Sequence, residues 1–277
     1  MIGNGLTYPL PLEHISEAHK LFNAARTRAQ NKKAINKIAV IIINSNYSKS
    51  SFTDLEGPLI DLKHAQKLFK EKGYTIHIIE DSRKINEDVL DLIEDNNLEE
   101  RTEIFQLFFS GHGVFKSTAE KGMFFTGNKE KADYRQEGEY GDCLVNSDGS
   151  LCEELLLAYQ VSDVLNKDAQ ICMFYDMCRS EWKQAPIQKR ENIIVSHFDN
   201  KMRLEESGAD RRMIRIFSSQ LGKTSSGTDS FFQHICQHIE LSSPQGVTIV
   251  EMQGLETAKQ KCSIEAKPGW DNKIWPL

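Results

Sequence analysis

A thiol and an imidazole stand in this chain where reactive groups are usually displayed. Cys178 follows Ile171-Cys172-Met173-Phe174-Tyr175, five apolar residues closed by Asp176, with Arg179 just beyond. A short apolar run rich in strand formers predicts a strand buried on both faces at the centre of a parallel sheet. Ligands bind in the crevice outside the carboxyl ends of such strands, so the thiol sits at the expected working edge. His112 is framed in the same way. The run ending Phe108-Phe109-Ser110 passes into Gly111-His112-Gly113, and flanking glycines let the backbone turn sharply and approach a ligand closely. A thiolate is the nucleophile, a nearby imidazole lowers the thiol's pKa and later protonates a leaving amine, and backbone amides hold the oxyanion. Together the two residues predict a Cys/His dyad; taken alone, His112 also reads as a hydrogen-bonded loop histidine.

Alternating strands and helices must bring these ends together. Ile38 to Ile43 is expected to be a buried strand. A helix from Leu59 to Phe69 follows, with Leu62, Ala65, Leu68 and Phe69 on one face, begun by Gly57-Pro58 and stopped by Gly73. Tyr74 to Ile79 is the second strand, Asn86 to Leu98 the second helix and Ile104 to Phe109 the third strand. A short apolar stretch, Met123-Phe124-Phe125, precedes a polar, acidic loop reaching about Gly149. Leu155 to Leu165 reads as a helix leading into the strand before Cys178. The segment Pro186 to Arg211 is charged and irregular, with Ile193-Ile194-Val195 as a candidate short strand. Beyond it come a strand at Met213 to Phe217, helices at Ser230 to Ile239 and Val250 to Lys261, and a last strand at Lys273-Ile274-Trp275. The order implies an α/β fold: a mostly parallel sheet of about six strands with helices on both faces. Residues 35–277 form this domain. Residues 1–34 are separate in character: Leu12, Ile15, Ala18, Phe22 and Ala25 recur at helical spacing, predicting an amphipathic helix that docks on its own domain or holds a partner.

Bulk properties remove several function classes. With 277 residues, 39% hydrophobic and 27% charged, the chain can bury one large core. A net charge of -6 with scattered lysines and arginines offers no basic stripe for nucleic acid. No apolar run nears the roughly 20 residues of a spanning helix, and the first residues lack a secretory signal, so a cytoplasmic protein with no membrane partner is expected. The cysteines, at 143, 152, 172, 178, 236 and 262, show neither Cys-x-x-Cys pairs nor zinc spacing. Gly222-Lys223-Thr224 lacks the leading glycine of a phosphate loop, since Phe217 stands there, and no Gly-x-Ser-x-Gly elbow marks a serine hydrolase.

The two motifs in combination resemble a family. Strand-Ser-Gly-His-Gly followed, 66 positions after the histidine (178 − 112), by the cysteine of strand-Asp-x-Cys-Arg is similar to the caspase-fold cysteine peptidases. Asp176-Met177-Cys178-Arg179 is most similar to their paracaspase branch, as are Asn36-Lys37-Ile38-Ala39-Val40, Asn46-Tyr47 and Leu55-Glu56-Gly57-Pro58-Leu59-Ile60-Asp61. The resemblance implies a caspase-like sheet, proteolysis by His112 and Cys178, and an oxyanion held by the amides of Gly113 and Cys178. Caspases carry Gln-Ala-Cys where this chain has Asp176-Met177-Cys178. An acid two residues before the nucleophile favours arginine, or lysine, before the scissile bond. Asp61 matches a second pocket acid of the paracaspases; its position also suits an acid favouring a helix N-terminus. A third pocket acid has no match, and Lys223 lies in its region. Arg179 reads as a solvated charge, a partner for a loop acid or an aid to the thiolate.

In caspases the segment after the nucleophile is cut during maturation, so Lys189, Arg190, Arg203, Arg211 and Arg212 are candidate self-cleavage sites in the 186–212 loop; a solvated charged loop explains the same composition without any function and is the preferred reading. Metacaspases suggest calcium dependence, but Glu87, Asp88, Asp91, Glu94 and Asp95 have the spacing of a solvated helix face. The chemistry requires no metal or other cofactor. Expected partners are protein or peptide substrates and, by resemblance, a second copy joined through a terminal edge strand near Ile274. The alternative is a catalytically silent caspase-fold scaffold or interaction module.

Overall fold

The strand β1 (Lys37–Ile43) shows how the sequence sets the core. Its residues are apolar without alternation because both faces are covered. Ile38, Val40 and Ile42 join one core, while Ala39, Ile41 and Ile43 join another on the opposite face. The computed structural model describes residues 36–117, 140–181, 200–219, 230–242, 245–255, 262–266, 269–270 and 273–276. Several expectations lie outside them: the helix in 1–34, Met123 to Phe125, Ile193 to Val195, Lys189, Arg190 and Gly222 to Thr224.

Further along the chain come α1 (Gly57–Glu71), β2 (Thr75–Glu80), α2 (Ile85–Asp95), β3 (Ile104–Ser110), β4 (Gly113–Ser117), β5 (Tyr140–Val145), β6 (Leu151–Glu153), α3 (Glu154–Val164), β7 (Gln170–Asp176) and β8 (Ser180–Glu181). A 3-10 turn at Ala209–Arg212 leads to β9 (Met213–Phe217), α4 (Phe231–Ser242), β10 (Val247–Thr248), α5 (Ile249–Gly254), β11 (Ser263–Ala266) and β12 (Ile274–Trp275). The main sheet has six strands in the order β11-β9-β7-β3-β1-β2, all parallel except β11, which runs against β9. Helices α2 and α3 cover one face through Ile85, Val89, Leu155 and Val161. The other is covered by α1, α4 and α5 through Ala65, Phe69, Phe232 and Met252. This is the expected mostly parallel α/β sheet with helices on both faces.

Three details differ from the sequence reading. The polar loop before Gly149 contains β5, which with β4, β6 and β8 makes a second sheet in the order β6-β5-β4-β8. Its strands have two to six residues and mixed polarity, too little for a periodic signal. The helix expected to run to Lys261 begins with a capping box, Thr248 with Glu251, and ends at Gly254, ahead of Leu255. Finally, the last strand, near Ile274, does not edge the main sheet: β12 pairs with β10, and β11 takes the edge.

Candidate active site

The register of two strand pairs fixes where the thiol and imidazole lie. In the main sheet Ser110 of β3 pairs with Asp176 of β7; in the second sheet Val114 of β4 pairs with Ser180 of β8. Both partnerships carry the offset of 66 residues that separates His112 from Cys178. The two turns, 111–113 and 177–179, are therefore bracketed alike, with His112 and Cys178 at matching places on adjacent parallel chains. Contacts knit the turns together: Gly111 N–H donates to the Asp176 carbonyl at 3.3 Å. A Cβ on Gly113 would lie 2.7 Å from the Cys178 carbonyl oxygen and collide with the Met177 side chain. Only glycine permits that approach. Cys178 itself is half-buried.

His112 is oriented by the segment between β1 and α1. Its Nε2 lies 2.8 Å from the Thr53 carbonyl oxygen, which can only accept, so Nε2 carries the proton and Nδ1 is the acceptor. Burial lowers the imidazole's pKa below its ordinary value, against the opposing pull of the Thr53 bond, so the ring is neutral at pH 7.

Strand alternation gathers a buried polar cluster on one side of the turns. Phe108, Phe174 and Ile216 belong to the core beneath α1 and α4; two residues on, Ser110, Asp176 and Ser218 face the same way. Asp61 of α1 is 2% exposed and Asp176 4%. Ser110 Oγ donates to Asp61 Oδ2 at 2.7 Å, while Ser230 Oγ and Gln233 Nε2 donate to its Oδ1 at 3.1 and 2.7 Å. Ser218 Oγ donates to Asp176 Oδ1 at 2.8 Å. Burial first, then the Asp176 charge, push the Asp61 carboxyl up to about 7, even with three donors pulling it down. Asp61 does not serve as an acid for its own helix N-terminus: it lies past the first turn of α1, and its partners come from β3, α4 and the residue preceding α4.

A family model of the caspase domain matches residues 36–259. The chain belongs to the caspase-domain family. It is a family of cysteine peptidases. Two solved structures share the fold. Protein GSU0716 from Geobacter sulfurreducens is 13% identical, with 86% of this chain and 97% of that one covered at a TM-score of 0.55. Caspase-1 from Spodoptera frugiperda is 12% identical, with 85% and 90% covered, also at 0.55. None of the curated proteins searched matches the chain.

Other charged residues of this caspase domain have different surroundings. Arg179 is 1% exposed, which removes the reading of a solvated charge. Its Nε and Nη2 reach Asp142 Oδ1 and Oδ2 at 2.9 and 2.5 Å, and its guanidinium lies 4.1 Å over the Phe217 ring. Glu265 of β11 extends the network at 3.7 Å and passes it to Arg215, which also holds buried Glu154 at 2.7 Å. Arg203 lies in helical residues 200–206, 5.7 Å over the Tyr159 ring. Arg211 and Arg212 belong to the 3-10 turn, where Arg212 donates to the carbonyls of Ser162, Asn166 and Ala169. No helix among the described residues is long and apolar enough to cross a membrane, and none of them form a group of three or more His, Cys, Asp or Glu fit to hold a metal. The sequence reading missed Thr53, Ser110, Ser218, Ser230, Gln233 and Asp142. Only Ser110 had a signal, its place beside Gly111-His112.

Proposed function

We propose that the chain is a cysteine endopeptidase of the paracaspase type that cleaves after arginine, with lysine second. The observation that carries this reading is the pair of buried carboxylates, Asp61 and Asp176, beside the turns bearing His112 and Cys178. Two acids that repel each other in a low-dielectric site gain most from a cation that satisfies both, and a guanidinium has the fork to do so.

In this reading His112 Nδ1 takes the Cys178 proton and the thiolate attacks the carbonyl carbon after the arginine. The backbone amides of Gly113 and Cys178 hold the resulting oxyanion. Collapse of the intermediate breaks the C–N bond, His112 returns its proton to the leaving amine, and an acyl-enzyme remains. Water, deprotonated by His112, then releases the acid and restores the thiol. Self-processing, if coupled to this activity, is assigned to Lys189-Arg190, because Arg203, Arg211 and Arg212 are held in local structure. A cytoplasmic, reducing setting suits the six cysteines, none of which forms a disulfide. A second copy would pair on the antiparallel edge strand β11.

The test is cleavage profiling on a peptide library with wild type and Cys178→Ala. The expected result is cleavage after arginine, lost in the variant. Asp176→Ala should lower arginyl hydrolysis far more than the thiol's reactivity toward a small alkylating agent. Equal losses would make Asp176 an organiser of the site, and no turnover under dimerising conditions would favour the scaffold.

A further inference from the structure

The segment between β1 and α1 does more than supply one carbonyl. Tyr47 is fully buried, and its hydroxyl accepts the His112 backbone N–H at 2.9 Å while donating to the Val145 carbonyl at 3.4 Å. Val145 N–H donates in turn to the His112 carbonyl at 3.0 Å, so both backbone groups of the histidine are fixed. The side chain is gripped as well. The Tyr47 ring meets the imidazole edge-on with centroids 4.7 Å apart, and the half-buried Phe52 ring stands 5.1 Å from it.

The segment that carries these rings is itself braced. Asp81 Oδ1 accepts the amides of Ser45 and Asn46, both at 2.8 Å, and Asp54 Oδ1 accepts the Tyr47 amide at 2.5 Å. Leu55 N–H closes the loop on the Ser45 carbonyl at 2.8 Å. Gly111 completes the fit, for a Cβ there would stand 2.8 Å from the Tyr47 hydroxyl oxygen. The first glycine of Gly-His-Gly therefore makes room for Tyr47, as the second makes room for Cys178.

We propose that Tyr47 and Phe52 are positioning residues for His112: they clasp the imidazole so that Nε2 stays on the Thr53 carbonyl and Nδ1 is kept for the thiol. This rests on the reading of His112 and Cys178 as a dyad. Neither ring exchanges a proton in the reaction; their effect passes through the orientation of one side chain. Burial holds the Tyr47 phenol above its ordinary pKa, so the hydroxyl keeps its proton across neutral pH and the clasp does not loosen there.

The test uses the full chain with Tyr47→Phe, which keeps the ring and removes the hydroxyl, and Phe52→Leu, which keeps bulk and removes the ring. Three quantities are read: kcat and KM on an arginyl peptide, the pH dependence of Cys178 alkylation by iodoacetamide followed by mass spectrometry, and the thermal midpoint. For Tyr47→Phe the expected result is a loss of about tenfold in kcat with KM within about twofold, since small misplacements of a catalytic group are costly. The alkylation inflection should move toward the ordinary thiol value of ~8.5. Phe52→Leu should do the same at about threefold, and it decides the matter should Tyr47→Phe fail to fold. Wild-type kcat and inflection in the folded variants, whatever their midpoints, would overturn the proposal. Failure of the dyad itself is distinguishable: wild type would then show no turnover and an alkylation profile unchanged by His112→Asn.

Discussion

Asp61 and Asp142 are both carboxylates taken almost wholly out of water, and burial is the largest cause raising the pKa of each. Their second causes are opposite. Asp142 has the guanidinium of Arg179 in a two-point grip, whose hydrogen bonds and charge favour the ionised form. Asp61 has three neutral donors, and the charge that acts on it most is that of another acid. A buried acid with its counter-charge built in holds a structure together; one set beside a second acid is a cost the fold carries. Such a cost is understandable where a ligand brings the missing charge, and in our reading the substrate's arginine does so.

The largest expected effect breaks the first half of this contrast. Asp142→Ala takes the two-point acid partner from buried Arg179 and should cost about 3–5 kcal/mol in urea unfolding. A loss under 1 kcal/mol would mean that water or Glu265 replaces the lost acid. Next, Asp61→Asn should lower kcat/KM for arginyl peptides ~100-fold, as loss of one partner of a buried charge pair does, without lowering the thermal midpoint. A variant that melts early would place Asp61 in the structural class with Asp142.

The acidity of Asp61 sharpens the contrast through pH. Its folded value, about 7, lies above the ordinary ~4 of an unfolded aspartate, so the folded state binds the proton more tightly. The Asp61 contribution to stability is full below pH ~4 and is lost as pH rises through about 7. Activity on arginyl peptides runs the other way. kcat/KM should climb by up to tenfold per pH unit toward about 7 as the pocket ionises. Asp61→Asn should remove that limb and leave the one that belongs to His112, whose pKa is lowered by burial. Profiles that superimpose would assign the whole limb to the histidine. The smallest effect is the choice between basic residues: arginyl over lysyl peptides by about tenfold, from two-point recognition against a single ammonium.

Sequence alone revealed the parts of the fold that rest on period and punctuation. The continuous apolar runs of β1, β3 and β7 announced strands covered on both faces, and Pro58 and Gly73 marked the ends of α1. His112 and Cys178 were legible as residues just past two such strands. Their shared offset was not, because register is a property of pairs of strands. Of the readings open for Arg179, a partner for a loop acid is the one its contacts support, but which acid was not legible, because Asp142 stands 37 residues earlier on a strand too short to show a pattern. The donors around Asp61 come from three separate stretches of chain, and no local signal joins Ser110 to Ser230 and Gln233.

The equal span of the two turns has a practical corollary for anyone re-engineering them. Between the residue pairs Ser110 with Asp176 and Val114 with Ser180, each chain has three residues to spend. Lengthening either stretch by one would force a bulge or slip one ladder against the other, rotating a neighbouring side chain to the opposite surface. Adding one residue to both could keep the ladders aligned, so compensated double insertions should survive where single ones fail.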